Sequence, residues 1–284
     1  MNRPASDQPR FQTSPIPGGQ ISLVRFQQGK APCEVLDTLA AEEPLEIRVR
    51  GRSVAVTMRT PGHDAELAAG FLLTEGVIRR AEDVLDIAPC AATDADSHGN
   101  VLNVFLAPSV EVDFASLTRH VFASSSCGVC GKASIEAVQL QFPALKDRFK
   151  VSARVLAGLP DRLRAAQAVF EQTGGLHAAG LFDAKGALRV AREDVGRHNA
   201  VDKVIGHALL AGWLPLSRHI LLVSGRASFE IMQKALAAGI PVVAAISAPS
   251  SLAVEFARAS GQTLAGFLRG GTMNVYSHPE RVRG

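Results

Sequence analysis

Short alternating runs of apolar and polar residues dominate the N-terminal part of the chain and predict strands. Residues 45–50 and 54–58 alternate on either side of a Gly-Arg turn, which is the pattern of a β-hairpin. Apolar residues then recur at helical spacing over residues 64–76, so a short amphipathic helix is expected there. Two further strands are predicted at residues 84–87 and 101–106.

The C-terminal half of the chain alternates strands and helices. A long helix is predicted over residues 152–172, with a kink or break at Pro160. Beyond it, strands are expected at residues 176–183 and 187–191, which flank Lys185-Gly186 as a hairpin, and at residues 219–224, 241–247, 263–268 and 273–276. Helices are expected at residues 198–211, 228–238 and 251–260. Repeated strand–helix–strand units favour right-handed crossovers and a largely parallel sheet with helices on its faces. The predicted fold class is α/β.

These patterns divide the chain into four segments. Residues 1–20 are polar and hold several Pro and Gly, and they are predicted to be a disordered tail. Residues 21–118 are expected to form a small α+β domain, and residues 151–284 the larger α/β domain. Between them, residues 119–150 contain a glycine-rich loop and a connecting helix.

The composition of the 284 residues is typical of a folded soluble protein, with 47% hydrophobic and 20% charged residues. The net charge of +3 is too small to indicate nucleic-acid binding, which usually shows a concentrated basic stripe. No apolar run reaches the length of a membrane span, and the first 20 residues hold no apolar core of a secretion signal. The cytoplasm is therefore the expected location, and thiols stay reduced there.

Two of the four cysteines form the motif Cys127-Gly-Val-Cys130. A thiol is a good nucleophile only as the thiolate, which a helix N-terminus or a nearby Lys favours. Lys132 follows directly, and the flanking glycines allow a close approach to a partner. A zinc knuckle and an inert pair are the alternatives. Because the sequence has no second CxxC or paired His group, we favour a reactive pair and expect no intrinsic metal.

The segment Arg192–Lys203, REDVGRHNAVDK, packs seven charged or titratable side chains into twelve residues at a predicted strand-to-helix junction. The apolar residues that follow in the predicted helix are expected to pack one of its sides against the core. Arg197 and His198 are therefore expected at its N-terminal mouth, where phosphate groups bind well. A solvated helix start is the alternative.

Two glycine turns are further candidates. Ser224-Gly225-Arg226 follows a strand and opens a helix, which places backbone N–H groups at the carboxyl end of the sheet, although a tight turn with a Ser cap explains it equally well. A second turn comprises Phe267, Leu268, Arg269, Gly270, Gly271 and Thr272. Its Arg and bare backbone suit a pyrophosphate or a guanine, but Gly-Gly is also a common hairpin turn. His177, at the start of a strand, suits either a core or a pocket.

Together these motifs resemble the FdhD family, the formate dehydrogenase accessory sulfurtransferases. The similarity is carried by residues 126–132, 174–182, 192–203, 224–228 and 266–271, which read SCGVCGK, GGLHAAGLF, REDVGRHNAVDK, SGRAS and GFLRGG. Each motif alone is modest. Their joint occurrence in this order, over nearly the whole chain beyond the tail, is highly specific.

The resemblance implies a homodimer with a cytidine-deaminase-like, three-layer α/β/α C-terminal domain. It also implies that persulfide sulfur from a cysteine desulfurase passes to the molybdenum bis(molybdopterin guanine dinucleotide) cofactor, bound as a substrate, for formate dehydrogenase. By motif position Cys127 is the persulfide carrier and Cys130 its neighbour. The expected cofactor contacts are Phe267–Thr272, Arg197, His198, Ser224, Gly225 and Arg226. The resemblance also implies a basic residue at the position of Thr272, so one phosphate contact is expected to be missing.

Other functions compete with sulfur transfer. A zinc deaminase needs His-x-Glu followed by Pro-Cys-x-x-Cys, whereas the triplet here is His177-Ala178-Ala179 and the CxxC motif precedes it. Deamination is therefore disfavoured. A cofactor-binding chaperone with dispensable cysteines, or a zinc-binding or redox regulator, stays open.

Overall fold

The structure, a computed structural model, describes residues 17–90, 99–114, 117 and 141–284. The strands are β1 (Pro17–Arg25), β2 (Cys33–Ala40), β3 (Glu43–Val49), β4 (Arg52–Arg59), β5 (Val84–Pro89), β6 (Val101–Leu106), β7 (Val151–Ser152), β8 (His177–Asp183), β9 (Leu188–Asp194), β10 (His219–Val223), β11 (Val242–Ala245), β12 (Thr263–Arg269), β13 (Thr272–Ser277) and β14 (Val282–Arg283). The helices are α1 (Asp64–Thr74), α2 (Ala153–Ala157), α3 (Leu159–Ala165), α4 (Ala168–Thr173), α5 (Arg197–Leu210), α6 (Phe229–Ala237) and α7 (Ser251–Ser260). Within these ranges, no helix has both the length and the apolar character needed to cross a membrane.

The N-terminal sheet has four strands in the order β4-β3-β6-β5. The predicted hairpin is confirmed as the antiparallel pair β3–β4, and both further strands are present. Alternate residues of β3, namely Leu45, Ile47 and Val49, are buried, whereas Glu46 and Arg48 pair with each other on the outer face. This period of two explains why the strand was visible in the sequence, since a sheet with one solvated face needs it. The predicted helix is confirmed as α1 and covers the buried face.

The C-terminal sheet has six strands in the order β13-β12-β11-β10-β8-β9. Its three central strands, β10, β11 and β12, are parallel, but the outer pairings are antiparallel. The prediction of a largely parallel sheet is therefore wrong. The physical reason is loop length: residues 184–187 and the pair Gly270-Gly271 are too short for a parallel crossover and close antiparallel hairpins instead.

Helices cover both faces of this sheet. Helices α5, α6 and α7 lie on one face, in the apolar core that also contains α1 and the N-terminal sheet. Helices α2 and α3 lie on the other face, where Leu156, Leu159 and Leu163 pack against Phe182 and Ile220. The N-terminal sheet and the C-terminal sheet are thus joined by one continuous apolar core.

The prediction of one continuous helix over residues 152–172 is wrong. The segment consists of the three short helices α2, α3 and α4, separated at Gly158 and at residues 166–167. Pro160 stands in the first turn of α3, where its missing N–H breaks no helical hydrogen bond. The breaks let α2 and α3 pack on the C-terminal sheet, while α4 contacts strands β1 and β2.

A two-stranded antiparallel ribbon, β1–β2, precedes the N-terminal sheet and was not predicted. It begins at Pro17, inside the segment expected to be a disordered tail. Its apolar side chains are largely exposed: Leu36 in β2 is 69% exposed, and Phe26 in the turn between the strands is 78% exposed. Because these residues do not alternate between a core and solvent, the ribbon lacks the pattern that reveals a half-buried strand.

Helices α1 and α5 pack in direct backbone contact, and this contact joins the N-terminal sheet to the rest of the protein. A Cβ atom on Gly70 would overlap the carbonyl oxygen of Asp202, and one on Gly206 would overlap the carbonyl oxygen of Glu66. Both positions therefore require glycine for the close approach, not for an unusual backbone angle.

Gly206→Ala is expected to lower the free energy of unfolding by about 1–3 kcal/mol, because the new methyl group must push α1 away from α5. Urea unfolding would measure the loss. Gly212→Ala is not a suitable control, since Gly212 has a positive φ of 70°. Ala208→Gly, on the same helix, should instead cost about 1 kcal/mol through backbone entropy. A Gly206→Ala protein as stable as the native one would contradict the close packing.

A buried charged network lies beside this helix contact. The carboxylate of Glu66 accepts hydrogen bonds from Arg192 Nε at 2.6 Å and Nη2 at 2.7 Å, and its Oε1 lies 2.9 Å from His207 Nδ1. Burial raises the pKa of Glu66, but these hydrogen bonds outweigh it and lower the pKa to about 2. Burial, with the charge of Arg192, also lowers the pKa of nearby His63 from 6.5 to about 4.

Acidification should therefore destabilise the protein in two successive steps. Between pH 6.5 and about 4 the unfolded chain binds a proton that folded His63 does not, which removes up to about 3 kcal/mol. Between pH 4.5 and about 2 the stability contributed by ionised Glu66 is lost as well. Thermal unfolding across this range would measure both steps. His63→Asn, which suits the positive φ of 58° at this position, should reduce the first step but not remove it, because burial also lowers the pKa of His177 and His219.

Candidate functional site

The motifs of segments 174–182, 192–203, 224–228 and 266–271 meet at the end of the C-terminal sheet where the parallel strands β10, β11 and β12 finish. In α/β proteins, ligands bind at this edge. Strand β8 runs antiparallel to β10, so its first residues lie beside the last residues of β10. Ser224 N donates to Ala178 O at 2.9 Å, and Ala178 N donates to Ser224 Oγ at 2.9 Å. The hydroxyl of Ser224 is thus used to join the two strands.

Gly225 allows the ring of His177 to lie against the turn after β10. A Cβ atom at position 225 would stand 3.3 Å from His177 Nδ1, so a larger residue would crowd the ring. The pKa of His177 is lowered by burial and then by the positive charges of Arg197, His198 and Arg226. His177, which the sequence left between a core and a pocket role, therefore lies among the cations of this edge.

Arg197 opens helix α5 at the same edge. Its Nε atom is buried and has no hydrogen-bond partner among the described residues. Gly196, at the N-cap position, offers no side chain to cap the helix, and the first turn of α5 carries no acidic residue. A buried guanidinium nitrogen at an uncapped helix N-terminus favours an anionic ligand.

Most of the charged residues in segment 192–203 have internal partners. Arg192 binds Glu66, the carboxylate of Glu193 accepts from the backbone N–H groups of Val169 and Phe170, Asp194 pairs with Lys203, and Asp202 pairs with Lys234. Arg197 and His198 lie in the first turn of α5, and His198 pairs with Glu230 of α6. The prediction that this pair lies at the mouth of the helix is confirmed, while the rest of the motif stabilises the fold.

The segment Phe267–Thr272 forms the tip of the hairpin β12–β13. Phe267 has a positive φ of 52°, and its N–H donates to Ser247 O at 3.1 Å. The guanidinium carbon of Arg269 lies 5.7 Å from the ring centre of Phe267, and the arginine is exposed. Thr272 Oγ1 donates to Arg269 O at 3.0 Å. Leu268 is fully buried in the core, so only its backbone can face a ligand.

The two loops of the sheet edge are connected through Pro249. Gly266 is packed so closely that a Cβ atom would stand 2.9 Å from Pro249 Cδ. Pro249 in turn forms a bridge with Ala227, next to the exposed Arg226. Gly270 and Gly271 are exposed and have φ values of 56° and 75°. The hairpin tip after β12 and the turn after β10 therefore lie at the same end of the sheet, with strand β11 between them.

Sequence reasoning missed Glu230, in the first turn of α6. Its Oε2 atom lies 2.7 Å from His198 Nε2, and Ser228 Oγ lies 3.3 Å from the same nitrogen. The hydrogen bond from His198 lowers the pKa of Glu230. An acidic residue after a Ser cap is also common at ordinary helix starts, so no local pattern indicates this pair. Cys127 and Cys130 lie outside the described residues.

The fold is α/β, and this edge of its C-terminal sheet is a candidate anion-binding site, where arginines, histidines and a helix N-terminus come together. The model of the FdhD/NarQ family matches residues 40–283, and the chain belongs to this family.

Relatives and a solved structure agree with this assignment. The chain is 57% identical over 265 residues to the sulfur carrier protein FdhD of Streptomyces avermitilis, covering 92% of this chain and 94% of that one. It is 57% identical over 254 residues to the protein of the same name from Mycobacterium tuberculosis, with 87% and 92% coverage. A crystal structure described as a formate dehydrogenase accessory protein, from Desulfotalea psychrophila, matches with a TM-score of 0.75 and 26% identity. That match covers 94% of this chain and all of the other.

Proposed function

We propose that this protein is a cytoplasmic sulfurtransferase that accepts persulfide sulfur from a cysteine desulfurase and transfers it to the molybdenum bis(molybdopterin guanine dinucleotide) cofactor for formate dehydrogenase. Membership of the FdhD/NarQ family carries the proposal, because relatives over almost the full length are named sulfur carrier proteins. The name of the structural neighbour supports the formate dehydrogenase part. A homodimer and a cytidine-deaminase-like C-terminal domain belong to the same proposal.

Binding of the cofactor is assigned to the cationic edge of the C-terminal sheet. Arg197 offers a buried guanidinium nitrogen without a described partner. Arg226 is exposed, and the positive charges of both arginines lower the pKa of His177. These groups suit the phosphates of a dinucleotide. Arg269 and the glycines that follow it offer a planar cation and open backbone to a guanine.

Sulfur transfer is assigned to Cys127 and Cys130. The Cys127 thiolate attacks the outer sulfur of the desulfurase persulfide, which forms Cys127–S–SH and releases the desulfurase thiolate. Delivery of that outer sulfur as sulfide needs two electrons. Cys130 supplies them by attacking the Cys127 sulfur, which leaves a Cys127–Cys130 disulfide and frees hydrosulfide for molybdenum. A thiol reductant then restores both cysteines.

The direct test is to incubate the purified protein with a cysteine desulfurase and cysteine, and then to weigh the intact protein by mass spectrometry. We expect a gain of one sulfur atom that disappears on treatment with a thiol reductant. No gain, with the cofactor still bound, would support a chaperone without sulfur transfer. Stoichiometric zinc in the purified protein would instead support the zinc-binding regulator.

Arg197→Gln is expected to weaken binding of guanosine diphosphate, a fragment of the cofactor, by about 10-fold or more, because a charge-assisted hydrogen bond contributes about 1.5–3 kcal/mol. Calorimetric titration would measure this. The control is Arg154→Gln, which removes the same charge from an exposed position in α2. Equal affinity in both variants would place the nucleotide elsewhere.

A further inference from the structure

A cavity opens beside the cationic edge of the C-terminal sheet. It has a volume of about 490 Å³, within the range of about 300–1,000 Å³ that small-molecule sites occupy. Its walls come from the end of α3, from α4 and the loop after it, from the start of β8, and from the carboxyl ends of β10 and β11. His177 lines this cavity, and its pKa is lowered by burial and by the charges of Arg197 and Arg226. The cavity and the cationic edge therefore meet at His177.

Gln167 is a buried polar residue of this cavity. It lies between α3 and α4, is only 5% exposed, and lines the cavity wall. Within the described part of the chain, its side-chain amide makes no hydrogen bond and does not cap α4. A buried amide is normally hydrogen-bonded, because leaving it unpaired costs free energy. Gln167 therefore offers a ligand in the cavity one acceptor and two donors on a single planar group.

The charged groups around Gln167 are already used within the protein. Arg164 Nη2 lies 2.5 Å from Glu171 Oε2, and the guanidinium carbon of Arg164 lies 4.5 Å from the ring centre of Phe170. The first N–H groups of α4, those of Val169 and Phe170, donate to the buried carboxylate of Glu193. The cavity therefore suits a neutral polar ring better than a phosphate, which the neighbouring cationic edge attracts.

We propose that this cavity receives a guanine base of the cofactor, and that Gln167 binds the edge of the base that carries O6 and N1–H. This inference rests on the proposed function and names the residue that recognises the base. The carboxamide of glutamine places an acceptor beside a donor, so it matches an edge on which an N–H stands next to a carbonyl. Phe170, Leu176 and Ile246 line the same cavity and supply apolar surface for the faces of the ring.

The position of the cavity fits the shape of a guanine nucleotide. The O6 and N1–H edge is the part of the base farthest from the ribose, so it enters the cavity first and meets the buried Gln167. The ribose then lies near His177 at the mouth, and the phosphates reach the cationic edge at Arg197 and Arg226. The cofactor carries two guanine nucleotides, so the cavity adds a second place for a base to the one assigned to the hairpin tip at Arg269.

Calorimetric titration with guanosine diphosphate and with inorganic pyrophosphate, which has no base, tests the role of Gln167. Gln167→Leu should weaken binding of guanosine diphosphate by about 10-fold or more, because two neutral hydrogen bonds to the base are lost. Its affinity for pyrophosphate should stay at the native level. Arg197→Gln should instead weaken binding of both ligands. The matched control is Gln172→Leu, the same substitution at an exposed position of α4, which should bind both ligands as the native protein does.

A second measurement changes the ligand and needs no variant protein. The derivative of guanosine diphosphate with a methyl group on N1 has lost the N–H that the glutamine carbonyl accepts. The native protein should bind this derivative about 10-fold more weakly than guanosine diphosphate. Gln167→Leu should bind the two nucleotides about equally, because the contact that the methyl group disturbs is already absent.

The inference is overturned if the native protein binds guanosine diphosphate and its N1-methyl derivative equally well, or if Gln167→Leu keeps the native affinity for guanosine diphosphate. It is also overturned if Gln167→Leu loses pyrophosphate as strongly as the nucleotide, since Gln167 would then support the phosphate site and not the base. Failure of the native protein to take up sulfur from a desulfurase would instead refute the proposed function itself. The two failures are therefore distinguishable.

Discussion

Cys127→Ala should abolish sulfur uptake from a desulfurase and leave formate dehydrogenase inactive in cells, while guanosine diphosphate binding stays at the native level. The expected loss is complete because the persulfide forms on the thiol of Cys127, which alanine lacks. Mass spectrometry of the protein and formate oxidation in a strain lacking the native copy would measure the two effects. Cys130→Ala should differ, since the persulfide still forms on Cys127 but sulfide release is slow.

Cys33→Ala is the matched control, because Cys33 is an exposed thiol at the start of β2, on the ribbon that precedes the N-terminal sheet. It should load sulfur and support formate dehydrogenase normally. Full formate dehydrogenase activity with Cys127→Ala would remove the central assignment. Loss of nucleotide binding in that variant would show damage to the fold and not to the sulfur site.

Lys203→Met should lower the free energy of unfolding by about 3–5 kcal/mol, the usual cost of removing one partner of a buried ion pair. Lys203 Nζ lies 2.6 Å from Asp194 Oδ2, and both side chains are completely buried. The ammonium also donates to Thr60 O at 2.8 Å, which links α5 to the end of β4. Without it, Asp194 keeps a charge in the core and Thr60 loses a hydrogen bond. Urea unfolding would measure the change.

Two further variants sharpen this prediction. The double variant Lys203→Met with Asp194→Asn should recover part of the loss, because no uncompensated charge stays in the core. Glu171→Gln breaks a pair with Arg164 in which the side chains are 72% and 47% exposed, and it should cost less than about 1 kcal/mol. Equal effects of Lys203→Met and Glu171→Gln would mean that the buried pair does not hold the fold together.

Elements with a local apolar period were predicted well from the sequence. Helix α7 and strand β12 were predicted within one residue of their observed bounds. Helix α7 buries one side and β12 buries nearly all of its residues, so each leaves a clear local pattern of apolar residues. The long helix over residues 152–172 failed for a related reason. Its apolar residues keep helical spacing across the breaks at Gly158 and Gln167, so spacing alone could not reveal where the chain turns.

The candidate site was only partly predictable. Arg197 was identified because a helix start with an arginine is a local feature. Glu230 was not identified, because it lies on α6 and its partner His198 lies on α5, and strand β10 separates these two helices in the chain. The same limit applies to the partners of Arg192 and Lys203, since the sequence does not say which charges will be buried together.

The sequence by itself determined the class of fold, the order of most strands and helices, the family resemblance and the two cysteines to which we assign sulfur transfer. These features depend on residue types and spacings that act over a few positions. The tertiary structure alone decided that the sheet is mixed, that most charges of segment 192–203 are used inside the fold, and that His198 pairs with Glu230. These outcomes depend on which distant surfaces pack together and exclude water. The free energy of that packing is shared between segments far apart in the chain, so no single segment encodes it.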